Sequence, residues 1–232
     1  MPADVRLDGQ CVLSIAIGRD LSRSVVDGLA DLGAMVFRTG PKLDLSSRAS
    51  VASGVDEAIR AHGLPDLVLL NVVPEVAMNP QPIAALPEGE WRSALMEGLR
   101  TTVRLLQALA PHVKSKGAAI VFVAPSLSLV GTPDMVALSA LLEGQRGLMK
   151  SVARQWGGSG VTLNWIATAP RALAPFEGVA LAAKPDAVSL ALGRAPDPRS
   201  EIAPAVAFLA SKAGRAMTGA TLMLDGGEWM VP

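Results

Sequence analysis

VLSIAIGRDLSRSVVDGLADLGAMVF, residues 12–37, decides the fold. A short apolar run passes through a polar turn into a stretch of helical period, and Gly33 separates that stretch from a second apolar run. Residues 22–32 read as the helix, with Gly33 suited to a left-handed cap beyond its last turn. A strand, a helix and a strand this close together form a βαβ unit, whose two strands must lie parallel because the helix carries the chain back to its starting end.

The same alternation extends in both directions. Apolar runs rich in Val, Ile and Leu predict strands at 11–16, 34–37, 67–71, 118–123, 161–166 and 221–224, with helices in the gaps. The class is α/β, a doubly wound parallel sheet forming one domain over residues 1–232, without an internal repeat or long linker. Residues 171–200, rich in Ala and Pro, follow a strand's carboxyl end, where such folds bind ligands, and read either as a lid or as a surface excursion.

Two helices carry patterned faces. From 88 to 110, Trp91, Leu95, Leu99, Leu106 and Leu109 recur at near-helical spacing, and Pro111 is expected to stop the helix. From 135 to 156, the small residues Ala140, Gly144, Gly147 and Ser151 line one side, which allows a second backbone to come close. That side packs either on a second subunit or on the chain's own sheet.

Composition excludes several classes. The 232 residues are 50% hydrophobic and 18% charged, with 21 basic and 21 acidic side chains giving a formal net charge of zero. No Lys/Arg block stands out, so neither nucleic acid nor an anionic membrane is an expected partner. Runs such as LVLLNVV are too short to span a bilayer, and the reading places the protein in the cytoplasm. One cysteine, Cys11, and two distant histidines, His62 and His112, offer no metal-ligand spacing. The chain contains no tyrosine.

The opening stretch, PDLVLLN at 65–71, GAAIVFVAPS at 117–126, GLMKSVARQW at 147–156, VTLNWIATAP at 161–170, EIAPAVAFLAS at 201–211 and MTGATLMLDGG at 217–227 stand in an order that resembles the short-chain dehydrogenase/reductase family. They span almost the whole chain. The resemblance implies a single Rossmann-like sheet, with Asp225, Gly226 and Gly227 as a structural turn after the last strand. It also marks departures. The family's first turn reads TGxxxGxG, and counting back from Gly33 puts Ile15, Ala16, Asp20 and Ser22 at those positions. At an effective dielectric of about 20, Asp20 some 4 Å from a phosphate would cost roughly 4 kcal/mol, about a thousandfold in affinity. The region between the second strand and the third helix is shortened; Leu43, Asp44 and Leu45 look like a remnant strand, and residues 48–62 like the helix after it. Thr39, Gly40 and Pro41 stand where the family distinguishes NAD from NADP. Of its Asn-Asn-Ala-Gly segment only Asn71 survives, among Leu70, Val72 and Val73.

The family's reduction uses a tyrosine as proton donor, a lysine four residues later, a serine and an asparagine. The resemblance puts Leu138, Leu142, Pro125 and Gly98 at those four positions. Ser126, Ser128, Asp134, Glu97 and Glu143 are the polar residues expected nearby, without a histidine, cysteine or lysine to complete a nucleophile pair. The leading expectation is a catalytically inactive subunit of a heteromeric oxidoreductase acting on acyl thioesters. It would bind no cofactor itself and would pair with a catalytically complete paralogue holding NAD(P), or with a second copy of itself. Trp229 and Met230 would then either reach the neighbouring subunit or cap the chain's own core. A second expectation is a cofactor-free enzyme or small-molecule-binding protein using a cleft of Leu138, Leu142, Pro125 and Trp165. A third is a reductase with an unrecognised mechanism.

Overall fold

A computed structural model describes residues 5–18, 22–39, 43–173 and 190–230. Asp20, Gly40, Pro41 and most of the 171–200 segment therefore lie outside the described residues. Six strands form one parallel sheet: β1 (Cys11–Gly18), β2 (Met35–Thr39), β3 (Leu67–Val73), β4 (Ala119–Pro125), β5 (Thr162–Thr168) and β6 (Thr221–Leu224), in the order β2-β1-β3-β4-β5-β6. β3, β4 and β5 are buried from end to end, which is why they read as continuous apolar runs instead of alternating ones.

Helices cover both faces. α2 (Arg48–His62), α4 (Gly98–Lys116) and α6 (Val136–Trp156) pack side by side on one face, and α1 (Arg23–Asp31) packs with α7 (Ala203–Ala210) on the other. Two short helices, α3 (Glu88–Arg92) and α5 (Leu127–Val130), precede α4 and α6. The chain leaves β1 towards β2 and then crosses back to β3 on the other side of β1. This reversal opens a crevice at the carboxyl ends of β1 and β3.

Two expectations are corrected. The helix from 88 does not stop at Pro111: α3 continues through a π-helical turn, Ser93–Glu97, into α4, with Pro111 inside it. Pro111 is exposed while Val113 beyond it is fully buried. Anchoring Val113 in the core keeps the last turn helical, and Gly117, at φ +76°, ends it. Residues 43–45 are not a strand. Leu43 is buried against α2 near Gly54, Asp44 accepts the Ser46 N–H at 2.9 Å, and Ser47 caps α2 through the Ser50 N–H at 3.0 Å. The shortened region thus serves as a capping loop, and among the described residues the sheet ends at β2.

Candidate functional site

The crevice is built by β1, β3 and the start of α1. Ala16 stands in register with Asn71, and Gly18 with Val73. Gly18 has φ +78°, and a Cβ there would overlap the Val73 carbonyl oxygen, so only glycine lets the strand end turn this close to β3. The motif positions counted back from Gly33 do not include this residue. Ser22 is buried just before α1, makes no side-chain cap, and α1 has no acid in its first turn. Asn71 sends its Nδ2 to the Val123 carbonyl at 3.3 Å and ties β3 to β4.

The next four positions are packing residues. Leu138 and Leu142 on α6 are fully buried, Pro125 is buried at the end of β4, and Trp165 stacks on Phe122 with ring centroids 5.4 Å apart. They fill the core instead of lining an apolar cleft, which corrects that part of the sequence reading. Gly98 follows the π-helical turn, and a Cβ there would lie 2.6 Å from Leu141 Cδ1, so glycine is what lets α4 and α6 approach. Gln145, which sequence reasoning passed over, is buried and donates to the Val72 carbonyl at 2.8 Å and to Thr102 Oγ1 at 3.0 Å. It joins α6, α4 and β3 beside the crevice.

Of the polar candidates, Glu143 pairs with Arg146 on its own helix, and Asp134 has φ +63° with its carbonyl accepting the Gln81 N–H. Ser126 is different. It is fully buried, its N–H reaches the Thr168 carbonyl at 2.7 Å, and its hydroxyl donates to Glu228 Oε2 at 2.7 Å. Burial pushes the Glu228 carboxyl above its ordinary value, and nearby Asp225 adds to this, while the Ser126 hydrogen bond and Arg171 act the other way. Asp225 holds the turn by accepting the N–H groups of Gly227 at 3.0 Å and Trp229 at 2.9 Å. Trp229 is half-buried and Met230 projects into solvent.

The small-residue side of α6 divides. Gly144 is needed within the chain, since a Cβ would sit 2.9 Å from Leu99 Cδ2, whereas nothing lies within 4 Å of a Cβ on Gly147. Gly144, Gly147 and Ser151 line a groove of about 600 Å³ with Met96, Leu99 and Val103 of the preceding helix. Ala140 is half-buried further along α6, and Trp91 and Leu95 pack partly against the core. Among the described residues no helix is long and apolar enough to cross a membrane.

The sheet order makes the chain a doubly wound parallel α/β protein with a crevice at its topological switch point. The chain belongs to the short-chain dehydrogenase/reductase family. A family profile described as enoyl-(acyl carrier protein) reductase matches residues 5–228. The chain is 26% identical to a 3-oxoacyl-(acyl-carrier-protein) reductase of Vibrio cholerae over 253 residues, covering 98% of this chain and 100% of that one. It is 28% identical to D-threitol dehydrogenase of Mycolicibacterium smegmatis over 251 residues, covering 97% and 94%. Among solved structures, 7α-hydroxysteroid dehydrogenase complexed with NADH and 7-oxo glycochenodeoxycholic acid is similar at TM-score 0.79 and 20% identity, covering 97% of this chain and 96% of that one. Gluconate 5-dehydrogenase from Burkholderia cenocepacia in complex with NADP and tartrate is similar at TM-score 0.77 and 22% identity, covering 97% of each chain.

These findings overturn two expectations. Relatives matching nearly the full chain are named as reductases and dehydrogenases, which contradicts an inactive subunit. Neighbours of the same fold are solved with NADH and NADP, which contradicts the absence of a cofactor on this chain. The crevice itself follows from the order of the strands in the sheet, whichever residues stand at the motif positions.

Proposed function

We propose that the chain is a nicotinamide-dinucleotide-dependent reductase acting on the carbonyl of an acyl thioester, with a proton donor other than tyrosine. The observation that carries the reading is the β1/β3 crevice with Gly18 seated on the Val73 carbonyl at its floor. A group as large as a dinucleotide pyrophosphate needs such a close backbone approach and a helix N-terminus to face it. Gly18, Ser22 and the first turn of α1 are the residues that would hold it. When bound, the dinucleotide supplies the hydride. The substrate class follows the named activity of the full-length relatives. The lack of tyrosine in the chain, with Leu138 and Leu142 buried where the resemblance puts the family's tyrosine and lysine, supports a proton donor of another kind.

The partner proposed is a second copy of the chain, docked along the groove between α4 and α6, where Met96 is exposed and Gly147 leaves open space. The test of function is calorimetric titration of the purified chain with NADH and with NADPH, followed by absorbance at the reduced nicotinamide band with acetoacetyl-coenzyme A. Binding of one dinucleotide and its oxidation on adding the thioester support the reading. Failure to bind either at millimolar concentration overturns it.

A further inference from the structure

Hydrogen bonds tie the carboxyl ends of β4, β5 and β6 together, through the Ser126 N–H to the Thr168 carbonyl and the Thr168 hydroxyl to the Leu224 carbonyl. Pro125 closes β4 in register with Thr168 of β5, and Thr168 in register with Leu224 of β6. Ser126 and Thr168 are both fully buried, and the Thr168 hydroxyl donates to the Leu224 carbonyl at 2.7 Å. The turn after β6 then doubles back. Gly226 and Gly227 take φ +71° and +78°, and the Asp225 carboxylate gathers the N–H groups of Gly227 and Trp229. This turn brings Glu228 over the strand ends, to Ser126, 102 residues earlier in the chain. Glu228 is half-buried, so it is partly desolvated and still open on one side.

We infer that Glu228 is the proton donor of the reduction and that Ser126 positions its carboxyl group. The inference rests on the reductase reading above. Glu228 Oε2 accepts the Ser126 hydroxyl, which leaves Oε1 to carry the proton. The carbonyl carbon of the substrate receives hydride from a reduced nicotinamide dinucleotide, and the π electron pair of the C=O bond moves onto oxygen. That oxygen takes the Glu228 proton, giving the alcohol, and water reprotonates the carboxylate. A donor suits this role when it retains its proton towards neutral pH. Burial and Asp225 favour the protonated form; the Ser126 hydroxyl and Arg171 favour the ionised one.

The test compares the intact chain with Glu228→Gln and Ser126→Ala, using NADH or NADPH and acetoacetyl-coenzyme A, with infrared titration of the carboxylic C=O band as a readout independent of turnover. The intact protein is expected to lose kcat as pH rises through the Glu228 titration, and the infrared band is expected to disappear over the same range. Glu228→Gln is expected to lose about a hundredfold or more in kcat with dinucleotide affinity unchanged. Ser126→Ala removes a hydrogen bond to the ionised form, so both the kinetic limb and the infrared band should move to higher pH. If Glu228→Gln binds dinucleotide and keeps kcat within a few fold, the proton-donor assignment fails and the reductase reading stands. A Glu228 band that titrates in the ordinary glutamate range has the same consequence. If the intact chain binds no dinucleotide, both fall together.

Discussion

Gly18 and Gly9 share nearly the same backbone, at φ +78° and +74°, and differ in what surrounds them. A Cβ on Gly9 meets nothing within 4 Å, whereas one on Gly18 overlaps the Val73 carbonyl. Gly9→Ala should cost about 1–2 kcal/mol from backbone conformation alone. Gly18→Ala adds overpacking, about 1–3 kcal/mol more. The pair of urea midpoints measures the difference, and equal losses would show that the crevice floor yields easily. Glu228 makes a second residue-scale prediction. Its carboxyl is raised in the folded state, so the folded chain holds that proton more tightly than the unfolded chain does. The stabilisation is present below the unfolded value and is lost as pH rises through the folded one. Glu228→Gln, neutral throughout, should match the intact chain in Tm at acid pH and exceed it at alkaline pH. Thermal melts across pH decide this.

At the scale of elements, the α4–α6 contact is set by glycines with opposite roles. Gly144→Val is expected to destabilise by about 1–3 kcal/mol, because Leu99 occupies the space a larger side chain needs. Gly147→Ala, with open space around its Cβ, is expected to stabilise the helix by up to about 1 kcal/mol. Denaturant unfolding of the two variants checks both signs. The spacing of small residues along 135–156 showed that something approaches closely, and could not assign each glycine to its neighbour, since that depends on where Leu99 of α4 lies. The helix through Pro111 teaches the same lesson. Local rules stop a helix at proline, but burial of Val113 two residues on keeps it going.

Two predictions belong to the whole molecule. A dinucleotide at a hundred times its Kd should stabilise the fold by about 2.7 kcal/mol. For a chain of this size that corresponds to a Tm rise of roughly 5–10 °C, readable by differential scanning calorimetry with NADH and with NADPH. An unmoved Tm with both would contradict the crevice assignment. The groove between α4 and α6 predicts a dimer by light scattering, and Gly147→Arg should give a folded monomer, since in a single chain the arginine extends into open space.

Local chemistry along the chain was sufficient for the sheet. The runs at 67–71, 118–123 and 161–166 are apolar without alternation because both sides of those strands are covered, and the helices between them force parallel pairing. The DGG turn was legible for a related reason, as Asp225 bonds to backbone only two and four residues away. The candidate site was not legible in this way. Motif counting saw glycines missing at 16, 20 and 22, and could not see that Gly18 meets the Val73 carbonyl. It found Leu138 and Leu142 but had no means of linking Ser126 to Glu228. Contacts of that kind have no sequence period, because the packing of β4, β5 and β6 sets the distance between side chains a hundred residues apart, and that packing exists only in the folded chain.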